Sequence, residues 1–167
     1  MSKDDVKIVA YLKDHARSIA EHLFEGVPED VVLSQRDELL KPGPNEVFSV
    51  CAVSGSEVVG VCTGVRMRWF GSRHRIELVQ VVVREGFRGL GIARKMMKTI
   101  ASHFSTRGVE IVQISVDSSN TEAFAAYERI GFERFGFLKE GIKHNGKYGD
   151  EIFLASPISK ILSIKSS

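Results

Sequence analysis

The alternation of apolar and polar residues predicts one strand and two helices in the first part of the chain. Val6 to Tyr11 alternates as a half-buried strand does. Apolar residues then recur at helical spacing from His15 to Glu25, and Gly26 and Pro28 stop that helix. A second helix is predicted from Glu29 to Leu40, before a Pro-Gly-Pro sequence.

Strand patterns dominate the middle of the chain. Val47 to Val53 and Val58 to Trp69 are rich in β-branched residues, and Ser54-Gly55-Ser56 between them is typical of a hairpin turn. A further strand is predicted from Arg75 to Val83, and it ends at a segment rich in glycine. This part of the chain therefore predicts a hairpin followed by a third strand.

Helices and strands alternate in the rest of the chain. One amphipathic helix places five apolar residues on a single face: Ala93, Met97, Ile100, Ala101 and Phe104. A strand from Ile111 to Val116 and a helix from Thr121 to Ile130 follow. Phe132 to Ile142 and Glu151 to Ala155 are the last predicted strands, and the residues after Pro157 are expected to be peripheral.

The order of these elements predicts a mixed sheet. Its one strand-helix-strand crossover, in the centre of the chain, predicts a parallel pair inside an otherwise antiparallel sheet. The expected fold class is therefore α/β of the α+β kind, with a mostly antiparallel sheet that splays at the parallel pair and helices on both faces. A length of 167 residues fits a single domain over positions 1–167.

Composition excludes several classes of partner. The chain is 43% hydrophobic and 26% charged, as soluble proteins are, and a net charge of +2 gives no electrostatic case for nucleic acid. No apolar run approaches membrane-spanning length, and the N-terminus lacks the apolar stretch of a signal peptide, so a cytoplasmic location is expected.

Cys51 and Cys62 are predicted to be free thiols. The histidines show no metal-ligand spacing, and no metal is expected.

The residues between Val83 and the following helix predict an anion site. Gly86, Gly89 and Gly91 lie where a strand turns into a helix, and free N–H groups at the positive end of a helix dipole commonly bind phosphate. The spacing does not fit the Gly-x-Gly-x-x-Gly of dinucleotide-binding folds, and the Gly-Lys-Ser or Gly-Lys-Thr of a nucleotide-triphosphate loop is missing. A phosphorylated cofactor of another kind is predicted here.

Two motifs in order resemble the GCN5-related N-acetyltransferase (GNAT) superfamily. Arg88, Gly91 and Ala93 match the acetyl-CoA loop pattern Gln/Arg-x-x-Gly-x-Gly/Ala. The segment from Asn120 to Phe132 is similar to the family's Asn-x-x-Ala-x-x-x-Tyr-x-x-x-Gly-Phe and lies one helix and one strand downstream of the loop. The resemblance covers positions 47–155 and implies the GNAT fold with acetyl-CoA as cosubstrate.

The resemblance also implies which residues bind that cosubstrate. The loop N–H groups would bind the pyrophosphate, the backbone of Val81 and Val83 would pair with the pantetheine arm, and an N–H there could polarise the thioester carbonyl. Asn120 would either bind the pantetheine or cap its own helix. The implied cofactor-binding residues are Val81, Val82, Val83, Arg88, Gly89, Leu90, Gly91, Ile92, Ala93, Arg94, Asn120 and Tyr127.

Two residues are candidates for acid and base catalysis. The family places a tyrosine at the thioester sulfur, and Tyr127 matches that position. A phenol suits the role of acid there because its basicity is similar to that of the thiolate leaving group. The alternative for Tyr127 is a core aromatic. Glu77 interrupts an apolar strand and matches a glutamate that many members use as base. The alternative is an ion pair with Arg75 or Arg68.

The function expected from this resemblance is acetyl transfer from acetyl-CoA to a primary amine, by direct attack in a ternary complex. The amine could belong to a small molecule or to a protein or peptide. One alternative is an enzyme that acetylates protein N-terminal α-amino groups, and another is a non-catalytic acetyl-CoA-binding module. The acceptor would contact the turn from Phe24 to Asp30 and the hairpin from His144 to Glu151, and a homodimer is left open.

Overall fold

The computed structural model describes residues 5–165. Its strands are β1 (Val6–Ala10), β2 (Val47–Ser54), β3 (Glu57–Arg66), β4 (Arg75–Val83), β5 (Ile111–Asp117), β6 (Glu133–His144) and β7 (Lys147–Pro157). Its α-helices are α1 (Ala16–His22), α2 (Glu29–Leu40), α3 (Ile92–Ser105), α4 (Thr121–Ile130) and α5 (Ile158–Leu162).

The strands form one mixed sheet in the order β1-β2-β3-β4-β5-β7-β6. Every neighbouring pair is antiparallel except β4 and β5, which confirms the expected fold class. The parallel pairing joins Arg75–Leu78 only to Ile111–Ile114, although β4 continues to Val83 and β5 to Asp117. The two strands therefore separate beyond Leu78, as the prediction of a splayed sheet requires.

Helices cover both faces of the sheet. The larger core lies between the sheet and α3, whose buried stripe includes Met96, Met97, Ile100 and Phe104. The helix lies so close to β3 that a Cβ added at Gly64 would be 2.6 Å from Ile100 Cγ2. We call this side the α3 face. Residues of α1 and α2 form a second core on the opposite side, which we call the α1/α2 face.

Several predicted boundaries were wrong: α1 ends at His22 rather than Glu25, and the last strand starts at Lys147 rather than Glu151. The strand predicted to run to Trp69 ends at Arg66, because the buried Arg66 guanidinium donates to the carbonyls of Asn45, Arg73 and Arg107 at 2.9, 2.8 and 2.7 Å and so fixes the turn that follows. The residues after Pro157 are not peripheral. They form α5, which buries Ile158 and Ile161 in the larger core.

Cys51 and Cys62 are free, as predicted, and the structure shows that both are buried. They belong to the cores on opposite faces of the sheet, so they face away from each other. None of the helices in the described part of the chain is long and apolar enough to cross a membrane.

Candidate active site

A bulge in β4 shapes the edge of the candidate site. Val79 pairs with Thr63 and Val82 with Val61, so that Gln80 and Val81 together lie opposite the single residue Cys62. Gln80 has a φ of 55°, which is uncommon for a residue with a side chain. In a regular strand, residues three apart point to opposite faces of the sheet. The extra residue changes this alternation, so that Leu78 and Val81 both lie on the α3 face.

A cleft of about 630 Å³ opens where β4 and β5 separate. Its walls are the end of β4, the glycine loop, the first turn of α3 and one side of α4. The lining residues are Val81, Val82, Val83, Phe87, Arg88, Gly89, Gly91, Ile92, Ala93, Arg94, Asn120, Glu122, Ala123, Ala126, Tyr127, Arg129 and Ile130. The predicted cofactor residues therefore come together in one cleft, apart from Leu90, which is exposed beside it.

Sequence reasoning missed the wall that α4 contributes. Ala123, Ala126 and Ile130 face the cleft together with Tyr127. Their spacing of three and four residues is that of one helical face, so the periodicity of this segment could have identified them.

The first turn of α3 can bind an anion. Gly91 is the N-cap residue with a φ of 74°, and Gly89 has a φ of 77°, so both adopt a conformation that glycine enters without strain. The N–H groups of Ile92, Ala93 and Arg94 point out of the helix start, because the first residues of a helix have no acceptor within it. These groups and the positive helix end suit a pyrophosphate.

Asn120 caps its own helix, which is one of the two roles expected for it. Its side chain keeps a second polar group that can bind the cofactor. Its side-chain Oδ1 accepts a hydrogen bond from the Ala123 N–H at 3.2 Å and so caps α4. The sequence suggested that capping and cofactor binding compete for this side chain. A carboxamide has both an oxygen and an NH₂ group, and the cap uses only the oxygen. The NH₂ group can therefore donate into the cleft that Asn120 lines.

Tyr127 is at once a core residue and a cleft residue. It is 8% exposed and lies edge-on to Phe132, with ring centroids 6.1 Å apart, yet it also lines the cleft. Burial, with a smaller contribution from Cys62, raises the pKa of its phenol to about 12. The phenol therefore holds its proton at neutral pH, which is the form that a general acid needs.

Glu77 lies outside the cleft, on the α1/α2 face of β4. Side chains alternate along a strand, so Glu77 points away from the buried Ile76 and Leu78. The expected alternative of an ion pair with Arg75 or Arg68 is not found, and no hydrogen bond or ion pair reaches the Glu77 carboxyl from any residue between 5 and 165. Burial, and after it the charge of Glu151, raises the pKa of this carboxyl.

No group of three or more His, Cys, Asp and Glu side chains within residues 5–165 could hold a metal ion. Apart from the Glu122 carboxylate, the polar groups that line the cleft are main-chain N–H groups, one carboxamide, one phenol and several guanidinium groups. Such donors suit a phosphorylated organic ligand.

A profile of the acetyltransferase (GNAT) family matches residues 10–132, and the chain therefore belongs to that family. The members of this family are described as acetyltransferases. The start of α3, which can bind an anion, and the unpaired edge of β4 both fit an extended ligand with a pyrophosphate. The match confirms the resemblance to the GNAT family that the two sequence motifs indicated.

Individual relatives agree with this membership. A mycothiol acetyltransferase from Thermobispora bispora is 31% identical over 129 residues, which are 75% of this chain and 43% of that protein. The chain thus spans less than half the length of that relative.

Two solved structures share the fold. The N-acetyltransferase from Staphylococcus aureus Mu50 superposes with a TM-score of 0.78 at 16% identity, covering 93% of this chain and 99% of the other. YncA from Salmonella typhimurium, solved with its cofactor acetyl-CoA, has a TM-score of 0.73 at 17% identity and covers 93% of this chain and 95% of its own.

The role of the α3 start can be tested with Gly91→Glu. A carboxylate there would repel phosphate groups and would also strain a backbone at positive φ, so acetyl-CoA binding measured by calorimetry should weaken at least tenfold, or about 1.4 kcal/mol. Gly108→Glu is the matched control, because Gly108 lies beyond the other end of α3 with a φ of 79° and open space around it. Equal affinities for the two variants would contradict the assignment.

Proposed function

We propose that the protein transfers the acetyl group of acetyl-CoA to the nitrogen of a primary amine, by direct attack in a ternary complex. The observation that carries the proposal is the unpaired, half-buried carboxyl of Glu77 beside the opening between β4 and β5. A charged group in the middle of a central strand lowers stability unless it has a partner. An amine that must lose a proton would be such a partner.

The chemistry requires two proton transfers. Acetyl-CoA, when bound, supplies an acetyl group activated as a thioester. In the net reaction a C–N bond forms, the C–S bond breaks, the nitrogen loses a proton and the sulfur gains one. Glu77 receives the first proton, directly or through water, and its raised pKa brings its basicity closer to that of an amine. Tyr127 lines the cleft on the other side of β4 and donates the second proton.

The surroundings of Glu77 favour an acceptor with positive charge. Register places Gln113 of β5 beside Glu77, and Ser115 beside Phe153 of β7, on the same face of the sheet. Phe153 belongs to neither core, and its ring lies 6.1 Å from that of Phe135. Glu151 adds a second carboxylate whose charge reaches Glu77. A cationic amine would relieve the repulsion between these two groups.

The acceptor class is tested with purified protein, acetyl-CoA and a panel of polyamines, amino acids, lysine peptides and peptides with free N-termini. Thiol release and the mass of the product are measured. We expect turnover with at least one amine. The product should be heavier than that amine by about 42 mass units, because an acetyl group replaces a hydrogen atom. Turnover confined to peptide α-amino groups would favour the N-terminal alternative. No turnover above hydrolysis, with acetyl-CoA binding intact, would favour the non-catalytic module and contradict the proposal.

Glu77→Gln should remove the acidic limb of the pH-rate profile. The carboxyl works as a base only when deprotonated, so the wild-type rate should rise with pH through the raised pKa of Glu77 and then level off. The glutamine variant should be slow at all pH values. Glu151→Gln is an informative second variant. It keeps Glu77 but removes a repulsive charge, and it should therefore move the acidic limb of the pH-rate profile to lower pH.

The same variant has a stability readout that does not depend on turnover. A carboxyl whose pKa is raised by folding destabilises the native state increasingly as the pH rises above its unfolded-state pKa, and fully above its folded-state pKa. Glu77→Gln should therefore raise the melting temperature at about pH 8 and change it less at about pH 5. An unchanged pH-rate profile and an unchanged melting temperature would exclude Glu77 as a base of raised pKa.

Tyr127→Phe should lower kcat by about 100-fold or more while acetyl-CoA binding stays close to that of the wild type, because the phenol proton is lost and the ring is kept. The pKa of about 12 predicts that the loss is similar across neutral pH. Tyr11→Phe is a matched control, since Tyr11 is 6% exposed, its pKa is also raised to about 12, and it lies in the other core. A full rate in Tyr127→Phe would refute the acid role.

A further inference from the structure

A row of hydrogen-bonded side chains lies behind the bulge of β4. The hydroxyl oxygens of Ser49 on β2 and Thr63 on β3 are 2.7 Å apart, and Thr63 donates in turn to the side-chain Oε1 of Gln80 at 3.4 Å. Ser49 is 3% exposed and Thr63 is fully buried, whereas Gln80 is exposed. The row therefore runs from the interior of the sheet to the surface at the bulge.

Either hydroxyl can be the donor in the bond between Ser49 and Thr63. When Thr63 donates its one proton to Gln80 Oε1, which can only accept, Ser49 donates to Thr63. Ser49 has a second acceptor within reach, the carbonyl oxygen of Cys62 at 3.3 Å. The two buried hydroxyls could thus be satisfied within the core, without Gln80. Their link to Gln80 is an additional feature of this arrangement.

Gln80 is the residue that most needs such a link. Its φ of 55° is unfavourable for a residue with a Cβ, and it is in the middle of a strand where glycine would be free of this strain. Val81, which follows it, lines the cleft and has no partner on β5, because the β4–β5 pairing ends at Leu78. Any rotation at Gln80 would turn the backbone of Val81 relative to the cleft.

We propose that Thr63 and Ser49 are positioning residues, whose hydroxyls hold Gln80 in the bulged conformation and so fix the direction of the Val81 backbone toward the reacting thioester. This inference rests on the proposed function only in assigning the effect to acetyl transfer. Neither hydroxyl touches a substrate, and each acts through Gln80. At 3.4 Å the link is longer than an ordinary hydrogen bond between two oxygens.

Thr63→Val tests the role, because valine keeps the branched shape and removes the donor. We expect kcat to fall about tenfold while KM for acetyl-CoA stays within about twofold, since ground-state binding does not depend on the direction of one peptide group. Thr63→Ser should restore most of kcat. Gln80→Ala, at an exposed side chain, should lower kcat to a similar degree without unfolding the protein. Ser156→Ala removes a buried hydroxyl far from the row and serves as a control for stability.

Two results distinguish positioning from a structural role. Thr63→Val combined with Gln80→Ala should be no slower than the slower single variant, because both changes break one link. Additive losses in the double variant would overturn the proposal, and so would an unchanged kcat in Thr63→Val with a lowered melting temperature.

A nuclear magnetic resonance measurement separates this inference from the proposed function. The backbone amide signal of Val81 should shift on addition of acetyl-CoA in the wild type and Thr63→Ser, and should shift less in Thr63→Val. That result would support positioning even if no amine in the panel were accepted. Identical shifts in all three proteins would overturn it, whether or not the enzyme turns over.

Discussion

The short parallel pairing of β4 with β5 is the constraint on which the site depends. It lasts for four residues on each strand, after which β4 stays paired with β3 through its bulge while β5 stays paired with β7. Each strand thus keeps one neighbour and loses the other. The gap that results exposes main-chain groups at the end of β4, and it lies beside the first turn of α3. The cleft for the cosubstrate follows from this one break in the ladder.

Two candidate catalytic groups flank the gap from opposite faces of the sheet. Tyr127 belongs to the core on the α3 face, whereas Glu77 points to the α1/α2 face. Burial raises the pKa of both groups, with opposite consequences for the roles proposed for them. The phenol is kept protonated, and the carboxyl becomes a stronger base when it ionises. A partly dry environment therefore suits an acid and a base in the same reaction.

The sequence predicted the fold well and indicated the candidate anion site, because the signals for both are local. Gly91 and the motif around Asn120 lie within single turns, where residue type limits the backbone directly. The bulge left no such signal, since Val-Gln-Val-Val-Val suits either alternation and its register depends on the pairing with β3. The absence of an ion partner for Glu77 among residues 5–165 likewise depends on side-chain directions that spacing does not determine. The helix α5 was missed although Ile158 and Ile161 have helical spacing, because a five-residue segment carries little periodic signal.

Glutamine at the bulge indicates how the site obtains rigidity. Glycine at position 80 would adopt a positive φ at no steric cost, but it would allow many other conformations as well. The glutamine side chain makes the positive φ unfavourable. Its Oε1 atom accepts a hydrogen bond, and that bond can compensate for the strain. The Thr63 hydroxyl meets that acceptor from a fully buried position, where its own freedom is small. Strain and hydrogen bond together select one backbone direction at Val81, which a flexible residue could not do, and a preorganised N–H group is worth more to a developing charge than a mobile one.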